Sequence, residues 1–215
     1  MENHQLLVRK TARYFTLGNP HTASKLWFVL HGYGQLATFF IRKFNDLDLT
    51  QNFIVAPEGM HRFYLSGNSG RVGASWMTKE GREDDINDNL HFLDELYQHI
   101  SKNNTFLEKN LLGFSQGGAT ASRWHEKGVF NATNFILWAS IFPPDLDLPK
   151  MSNTFLNSNN FFVVGDDDEY FNSDKIEVIR RAFLEQNLSF KDILYRGKHT
   201  ITEEGLNRLL TSFDK

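Results

Sequence analysis

The fold of this chain is decided by Leu111–Ala121, which reads Leu-Leu-Gly-Phe-Ser-Gln-Gly-Gly-Ala-Thr-Ala. Its apolar start is typical of a buried β-strand, and a helical pattern begins at Gln116 and continues to Lys127. Glycines on both sides of Ser115, in the pattern Gly-x-Ser-x-Gly, let a strand and a helix cross closely at a sharp turn. Such a turn strains the serine backbone and presents the hydroxyl above a sheet. The alternative is an ordinary strand–helix turn with a capping serine.

Strand-like and helical patterns alternate along the rest of the chain. The apolar runs typical of strands covered on both faces are Leu26–Leu30, Phe53–Ala56, Leu111–Phe114, Phe135–Trp138 and Phe161–Val164. Helical patterns cover Ala37–Leu47, Asp84–Ile100, Gln116–Lys127, Ser173–Asn187 and Thr202–Phe213. This alternation predicts an α/β fold, a mostly parallel sheet with helices on both faces, in one domain over residues 1–215. Leu6–Leu17 is a candidate for an antiparallel edge hairpin.

The composition excludes several classes of function. The 23 Lys and Arg residues against 26 Asp and Glu leave a net charge of −3, and no basic run is present, which argues against a nucleic-acid partner. The absence of cysteine excludes disulfides, thiolate metal sites and a cysteine nucleophile. No apolar stretch approaches the ~20 residues of a membrane span, and the N-terminus lacks a secretory signal pattern. We therefore expect a cytoplasmic protein without stable membrane insertion; its oligomeric state is left open.

A serine hydroxyl becomes a nucleophile only with a general base and an orienting acid. Of the eight histidines, His199 follows the strand-like Phe190–Tyr195 and precedes the last helical pattern, where a parallel sheet collects its catalytic groups. The acid is expected between Ser115 and His199, and Asp166–Glu169 offers four consecutive carboxylates after a buried strand. A solvated loop or a divalent-cation site is the alternative, but no second oxygen-rich segment would complete a metal shell. We expect no metal and no cofactor.

An oxyanion formed during acyl transfer needs two main-chain N–H donors. Gln116 supplies one, because it follows the serine at a helix N-terminus. The second is expected from the glycine-rich loop after Leu26–Leu30, which reads His-Gly-Tyr-Gly over residues 31–34. An ordinary βα turn is the alternative for this loop.

In their order, these segments resemble the phospholipase/carboxylesterase family of α/β-hydrolases, which includes acyl-protein thioesterases. The resemblance is carried by Leu30–Gly34, Ala56–Gly59, Ser75–Trp76, Gly113–Gly118, Gly165–Asp168 and Gly197–His199. It implies the α/β-hydrolase fold, Ser115 as nucleophile and His199 as base. The family pattern Gly-x-x-Asp implies that Asp168 is the acid, and the oxyanion donors fall on the main chains of Tyr33 and Gln116.

The expected activity is that of a carboxylesterase or lysophospholipase-like serine esterase, which cleaves small-molecule esters with short to medium acyl chains through an acyl-enzyme. A non-catalytic small-ligand-binding protein, or a thioesterase or peptidase of the same fold, is the alternative. Phe63, Tyr64, Leu65 and Trp76 are candidates to border the pocket, unless they pack in the core. The segment Ala139–Asn160 has three prolines and little helical pattern, so we expect no substantial lid.

The chain departs from the better-known family members in two places that bear on substrate choice. The segment Arg62–Met77 is more aromatic and glycine-rich than expected for a thioesterase of that type. After the acid motif, better-known family members continue with a proline and a Val-Pro, whereas this chain has Glu169, Tyr170 and Phe171. The natural substrate is therefore open at this stage.

Overall fold

The computed structural model describes residues 1–146, 154–185 and 187–213. Its strands are β1 (Tyr14–Leu17), β2 (Lys25–Leu30), β3 (Asn52–Pro57), β4 (His61–Tyr64), β5 (Val72–Ser75), β6 (Glu108–Phe114), β7 (Asn134–Trp138), β8 (Asn159–Gly165) and β9 (Lys191–Tyr195). Its helices are α1 (Ala37–Phe40), α2 (Arg82–Ser101), α3 (Gln116–Lys127), α4 (Ser173–Glu185) and α5 (Glu203–Thr211). A short 3-10 helix, Ile41–Phe44, continues α1.

Seven strands form one sheet in the order β1-β3-β2-β6-β7-β8-β9. All neighbouring strands are parallel except β1, which is antiparallel to β3 at one edge. Every residue of β3 and β7 is buried, so both faces of the sheet are covered there. The five apolar runs therefore lie in β2, β3, β6, β7 and β8, as their composition predicts, and the expected mostly parallel sheet is confirmed.

The structure confirms an antiparallel edge strand within Leu6–Leu17, but the expected hairpin is wrong. Only Tyr14–Leu17 forms a strand, and its partner is β3 rather than a preceding segment of the chain. The stretch contains no Gly, Asn, Asp or Pro to make a hairpin turn, and Leu6, Leu7 and Val8 remain exposed. The first helical pattern is also shorter than expected, since it ends at Phe44.

A second, two-stranded sheet is formed by β4 and β5, an antiparallel hairpin that the sequence analysis did not predict. It is joined to the loop after β2 by a bridge between Gln35 and Ala74. Turn residues at 66–70, Ser-Gly-Asn-Ser-Gly, were a signal for this hairpin.

A ladder of amide side chains aligns the central strands. The Asn134 Nδ2 donates to Asn110 Oδ1 at 2.7 Å, and Asn159 Nδ2 donates to Asn134 Oδ1 at 2.9 Å. A register slip of one residue would break both bonds and turn the apolar side chains to the wrong face. The carboxyl ends of β6, β7 and β8 are thereby held level, at the edge where the predicted site residues lie.

Helix α3 is anchored to the core by an aromatic cluster. The Trp124 ring lies 4.9 Å from that of Phe28 on β2 and 4.8 Å from that of Phe130, and its Nε1 donates to Asp94 on α2. This packing sets the position of α3 and of its first residue. Within the three described ranges, no helix is both long and apolar enough to cross a bilayer.

Candidate active site

Ser115 occupies a strained turn between β6 and α3, with φ 52° and ψ −120°. A non-glycine residue in such a conformation persists only where its surroundings hold it. Here the Ser115 N–H donates to Trp138 O at 3.0 Å, and its carbonyl accepts from Ser140 Oγ at 2.7 Å. The end of β7 and the segment directly after it therefore hold the turn through both main-chain groups of Ser115, and the predicted strained geometry is confirmed.

Two glycines let the main chain approach this turn. A Cβ at Gly117 would overlap the carbonyl oxygens of Leu30 and His31, so the first turn of α3 packs directly on the end of β2. A Cβ at Gly32 would lie 3.2 Å from the Cβ of Ser115. The loop after β2 thus lies against the serine because neither position carries a side chain.

The structure brings His199 and Asp168 together. The His199 Nδ1 lies 2.9 Å from Asp168 Oδ2 and 3.1 Å from Oδ1, and the carboxylate is fully buried. This contact places the ring proton on Nδ1 and leaves Nε2 as the acceptor of a neutral imidazole. The ring centre is 4.9 Å from that of Phe114, the residue before Ser115. Loops after β6, β8 and β9 therefore converge at one edge of the sheet.

The four consecutive carboxylates make different contacts. Asp166 Oδ1 accepts from Gly197 N at 3.0 Å, Asp168 binds the His199 ring, and Glu169 Oε2 accepts from His199 N at 3.4 Å. The pKa of Glu169 is lowered, chiefly by a hydrogen bond from its own main-chain N–H. Among the residues whose positions are described, no group of three or more His, Cys, Asp or Glu side chains is arranged to hold a metal ion.

Gln116 directly follows Ser115 at the start of α3, and Tyr33 directly follows Gly32, which packs against Ser115. Neither main-chain N–H donates to an acceptor within the described part of the chain, so both are available to a ligand. The Gln116 side chain fixes the start of α3, because its Nε2 donates to Met77 O at 2.8 Å and its Oε1 accepts from Trp76 N at 3.1 Å.

The β4–β5 hairpin braces the loop that carries Tyr33. Gly34 N donates to Ala74 O at 2.8 Å, and Ala74 N donates to Gln35 O at 3.1 Å. Within the loop, Gly32 N donates to Gln35 Oε1 at 2.9 Å. Sequence reasoning missed this support because it did not find the hairpin.

Two buried polar side chains lie beneath the same loop and were not assigned from the sequence. His31 Nδ1 donates to Gly32 O at 2.8 Å, Nε2 accepts from Gly59 N at 3.0 Å, and burial lowers the His31 pKa to about 4. Glu58 Oε2 accepts from Ala37 N at 3.1 Å, and its Oε1 pairs with Arg13. Neutral His31 and paired Glu58 thus hold both ends of the loop.

The aromatic residues expected at the pocket divide into two groups. The exposed Tyr33 ring lies 5.2 Å from that of Phe63, and Tyr64 and Leu65 are also exposed. Trp76, in contrast, is fully buried, and its Nε1 donates to His31 O at 2.8 Å. The expectation that Trp76 borders an open pocket is therefore wrong, because its indole ring and its N–H are both satisfied in the core.

Tyr170 and Phe171, where the chain departs from the family pattern, contact the His199 ring. The exposed Tyr170 ring meets the imidazole edge-on at 4.7 Å, and Phe171 lies parallel to it at 6.2 Å. Tyr170 N also donates to Asp168 Oδ1 at 2.9 Å. The rings of Tyr170 and Phe171 therefore pack against the imidazole, and these two contacts were not predicted from the sequence.

The segment after β7 is described only in part. Residues 147–153 of the stretch Ala139–Asn160 lie outside the described residues, so the expectation of no substantial lid stays a prediction. The preceding part is fixed by Asp145, which accepts from buried Arg123 Nε at 2.8 Å. Hydrogen bonds from Arg123 lower the Asp145 pKa.

The chain is similar to one protein family and to several solved structures. The model of the serine hydrolase (FSH1) family matches residues 22–204. The phospholipase/carboxylesterase of Dyadobacter fermentans is 20% identical, with 97% of this chain and 99% of that chain covered and a TM-score of 0.68. Zea mays acyl-protein thioesterase 2 is 16% identical, with 95% and 98% covered and a TM-score of 0.69. Esterase PE8 is 19% identical, with 95% and 99% covered and a TM-score of 0.69.

No curated protein matches the chain. At these identities the solved structures establish the fold, which is the α/β-hydrolase fold expected from the sequence. The expected resemblance to phospholipase/carboxylesterase-type α/β-hydrolases is confirmed.

Proposed function

Because the chain belongs to the serine hydrolase (FSH1) family, we propose that it hydrolyses small carboxylic esters with short to medium acyl chains through an acyl-enzyme on Ser115. One observation carries the proposal. The strained serine after β6 and the buried Asp168–His199 pair lie at the same edge of one sheet, in the chain order that α/β-hydrolases use.

The first half of the reaction acylates the enzyme. His199 Nε2 takes the proton of Ser115 Oγ as the oxygen attacks the ester carbonyl carbon, and Asp168 stabilises the imidazolium that forms. His199 then gives this proton to the oxygen of the leaving alcohol, and the C–O bond of the ester breaks. In the second half, His199 deprotonates a water molecule that attacks the acyl-enzyme. The carboxylic acid leaves, and Ser115 regains its proton.

We assign the stabilisation of the negative charge on the carbonyl oxygen to the main-chain N–H groups of Tyr33 and Gln116. A single donor of this kind is worth about 3–4 kcal/mol of transition-state stabilisation. The free hydrogen-bonding capacity of both N–H groups supports this role. The bonds from Ala74 and to Met77 support it further, since they fix both donors before substrate binds.

Esters with small apolar acyl groups are the proposed substrates because aromatic surface lies beside the oxyanion loop, residues 31–36, which carries the Tyr33 N–H. Tyr33, Phe63 and Tyr64 offer flat apolar faces, and Leu65 extends them. With Trp76 in the core, these four residues and Tyr170 are the side chains proposed to contact the substrate.

A fluorophosphonate probe tests the activated serine without assuming a substrate. We expect the native chain to be labelled and Ser115→Ala to remain unlabelled at similar stability. A folded native chain that resists labelling would favour the non-catalytic binding protein instead.

A panel of esters, thioesters and aminopeptidase substrates tests the reaction class. The highest kcat/KM is expected on soluble short- to medium-chain esters, with no jump in rate when the substrate exceeds its solubility limit. Higher kcat/KM on matched thioesters or peptides would reject the ester assignment while leaving the serine mechanism in place.

A further inference from the structure

We propose that Asp166 and Glu169 are positioning residues that hold the main chain of the His199 loop, and that Asp167 between them has no such part. The inference rests on the proposed function, because it concerns how the base of that reaction is aligned. Of the four adjacent carboxylates the family resemblance singles out only Asp168, which binds the imidazole ring, whereas Asp166 and Glu169 bind the backbone that carries the ring.

Asp166 connects the ends of β8 and β9. Its carboxylate accepts from Gly197 N at 3.0 Å, while its own N–H donates to Tyr195 O at 2.9 Å. The two loops also pack main chain against main chain, since a Cβ at Gly165 would overlap the Gly197 carbonyl. A carboxylate that accepts from a main-chain N–H forms one of the stronger hydrogen bonds in proteins. Asp166 therefore fixes the loop two residues before His199.

Glu169 supports the loop from the other side of Asp168. Its Oε2 accepts from the His199 main-chain N–H at 3.4 Å, a longer contact than that of Asp166. The carboxylate is exposed, and its pKa is lowered by its own N–H and then by the His199 N–H. It is thus ionised at neutral pH and binds the backbone of the residue whose ring Asp168 binds.

Asp167 provides a matched control within the same four residues. Its main-chain N–H donates to Gly197 O at 3.0 Å, which any residue other than proline preserves. Its exposed carboxylate makes no hydrogen bond or ion pair to any part of the chain that the structure describes. Substitution at 167 removes the same charge from a directly neighbouring residue, without removing a side-chain bond to the loop that carries His199.

Loss of these bonds should change kcat rather than KM. Neither side chain is among those proposed to contact the substrate, so binding is unaffected. A small displacement of the imidazole from Ser115 and from the leaving oxygen, however, slows both proton transfers, and misplacement by about 1 Å can cost about 100-fold. Asn at 166 and Gln at 169 keep an acceptor oxygen without the charge, so they separate the bond from the electrostatic effect.

The experiment measures kcat and KM on a soluble short-chain ester for Asp166→Ala, Asp166→Asn, Asp167→Ala, Glu169→Ala and Glu169→Gln. We expect Asp166→Ala to lose about tenfold in kcat and Glu169→Ala about threefold, with KM within about twofold of native. Asp166→Asn, Glu169→Gln and Asp167→Ala should stay within about twofold of native in both constants. Equal kcat for Asp166→Ala and Asp167→Ala, or no rescue by Asn, would overturn the proposal for Asp166.

Hydrogen exchange of the peptide that contains Gly197 and His199 gives a readout that does not depend on activity. Exchange should become faster in Asp166→Ala and stay native in Asp167→Ala, and equal exchange in the two variants would overturn the proposal even if the native chain hydrolyses no ester. Failure of the proposed function appears separately, as a native chain that fluorophosphonate does not label. If Asp166→Ala does not fold, Glu169→Ala and Glu169→Gln decide the proposal by the same two measurements, because Glu169 is exposed.

Discussion

Replacing Ser115 with glycine should make the protein more stable while it abolishes hydrolysis. Ser115 has φ 52° and ψ −120°, a region where a Cβ is unfavourable and glycine is not. The turn is held there by Trp138 O and Ser140 Oγ, through main-chain groups of Ser115 that glycine keeps. Glycine therefore removes the strain and leaves the bonds that impose the conformation.

The size of the effect follows from two opposing terms. Backbone strain of this kind costs about 1–3 kcal/mol, which glycine recovers. Glycine also loses more conformational freedom on folding, at a cost of about 0.4–1 kcal/mol. The difference is a gain of about 1 kcal/mol in the free energy of unfolding, or a rise in Tm of about 2–4 °C for a chain of this size. Ser115→Ala keeps the Cβ and should therefore stay near the native Tm.

Thermal and urea unfolding of the native protein, Ser115→Ala and Ser115→Gly test this directly. The expected order of stability is glycine above alanine, with alanine close to native, and both variants inactive towards esters and fluorophosphonate. A glycine variant no more stable than the alanine variant would show that the turn stores no strain, and the physical account of the strained turn at Ser115 would be wrong.

Three further outcomes are expected. Asp168→Asn should lower kcat on esters about 10³- to 10⁴-fold with little change in KM, because an amide at this position no longer fixes the tautomer of the base; steady-state kinetics measure it, and a loss below about tenfold would contradict the assignment. Gly73→Ala should lower kcat about 100-fold with similar KM, since a Cβ at position 73 would overlap the main chain of Gly34 and displace the oxyanion loop. A native kcat in this variant would show that the β4–β5 hairpin does not position the loop. The free energy of unfolding should fall as pH drops from about 6.5 to about 4, because burial lowers the pKa of His31 and of His125 from 6.5 to about 4 and the unfolded chain therefore binds more protons across this range. Urea unfolding at pH 7, 5.5 and 4.5 measures this change, and a free energy of unfolding that does not vary with pH would contradict the burial of neutral imidazoles.

Elements whose stability depends on their own residues were predictable from the sequence. The runs in β2 and β6 are apolar because both of their faces are buried, and Gln116–Lys127 is a helix with the bounds that its pattern predicts. The turn at Ser115 belongs to the same class, because its neighbouring glycines are adjacent in the chain.

Elements that depend on distant contacts were missed or misassigned. The β4–β5 hairpin has a local signal in the turn residues at 66–70, but its place beside the site depends on a bridge between Ala74 and Gln35, about 40 residues apart in the chain, which no local pattern reports. Trp76 is a residue type that often lines pockets, but here it is buried in the core and its Nε1 donates to the carbonyl of His31.

The amino-acid sequence by itself determined the order of the apolar central strands and of the helices, the strained serine turn and the two loops in which a base and an acid were to be sought. These depend on periodicity and on glycine, which act between neighbouring residues. The resemblance to the family placed the acid on Asp168, but only the tertiary structure decided what the neighbouring carboxylates contact, because consecutive side chains point in different directions. The parallel pairing of β8 with β9 brings the two loops together, and it is this pairing that turns Asp168 towards the ring and Asp166 towards the backbone.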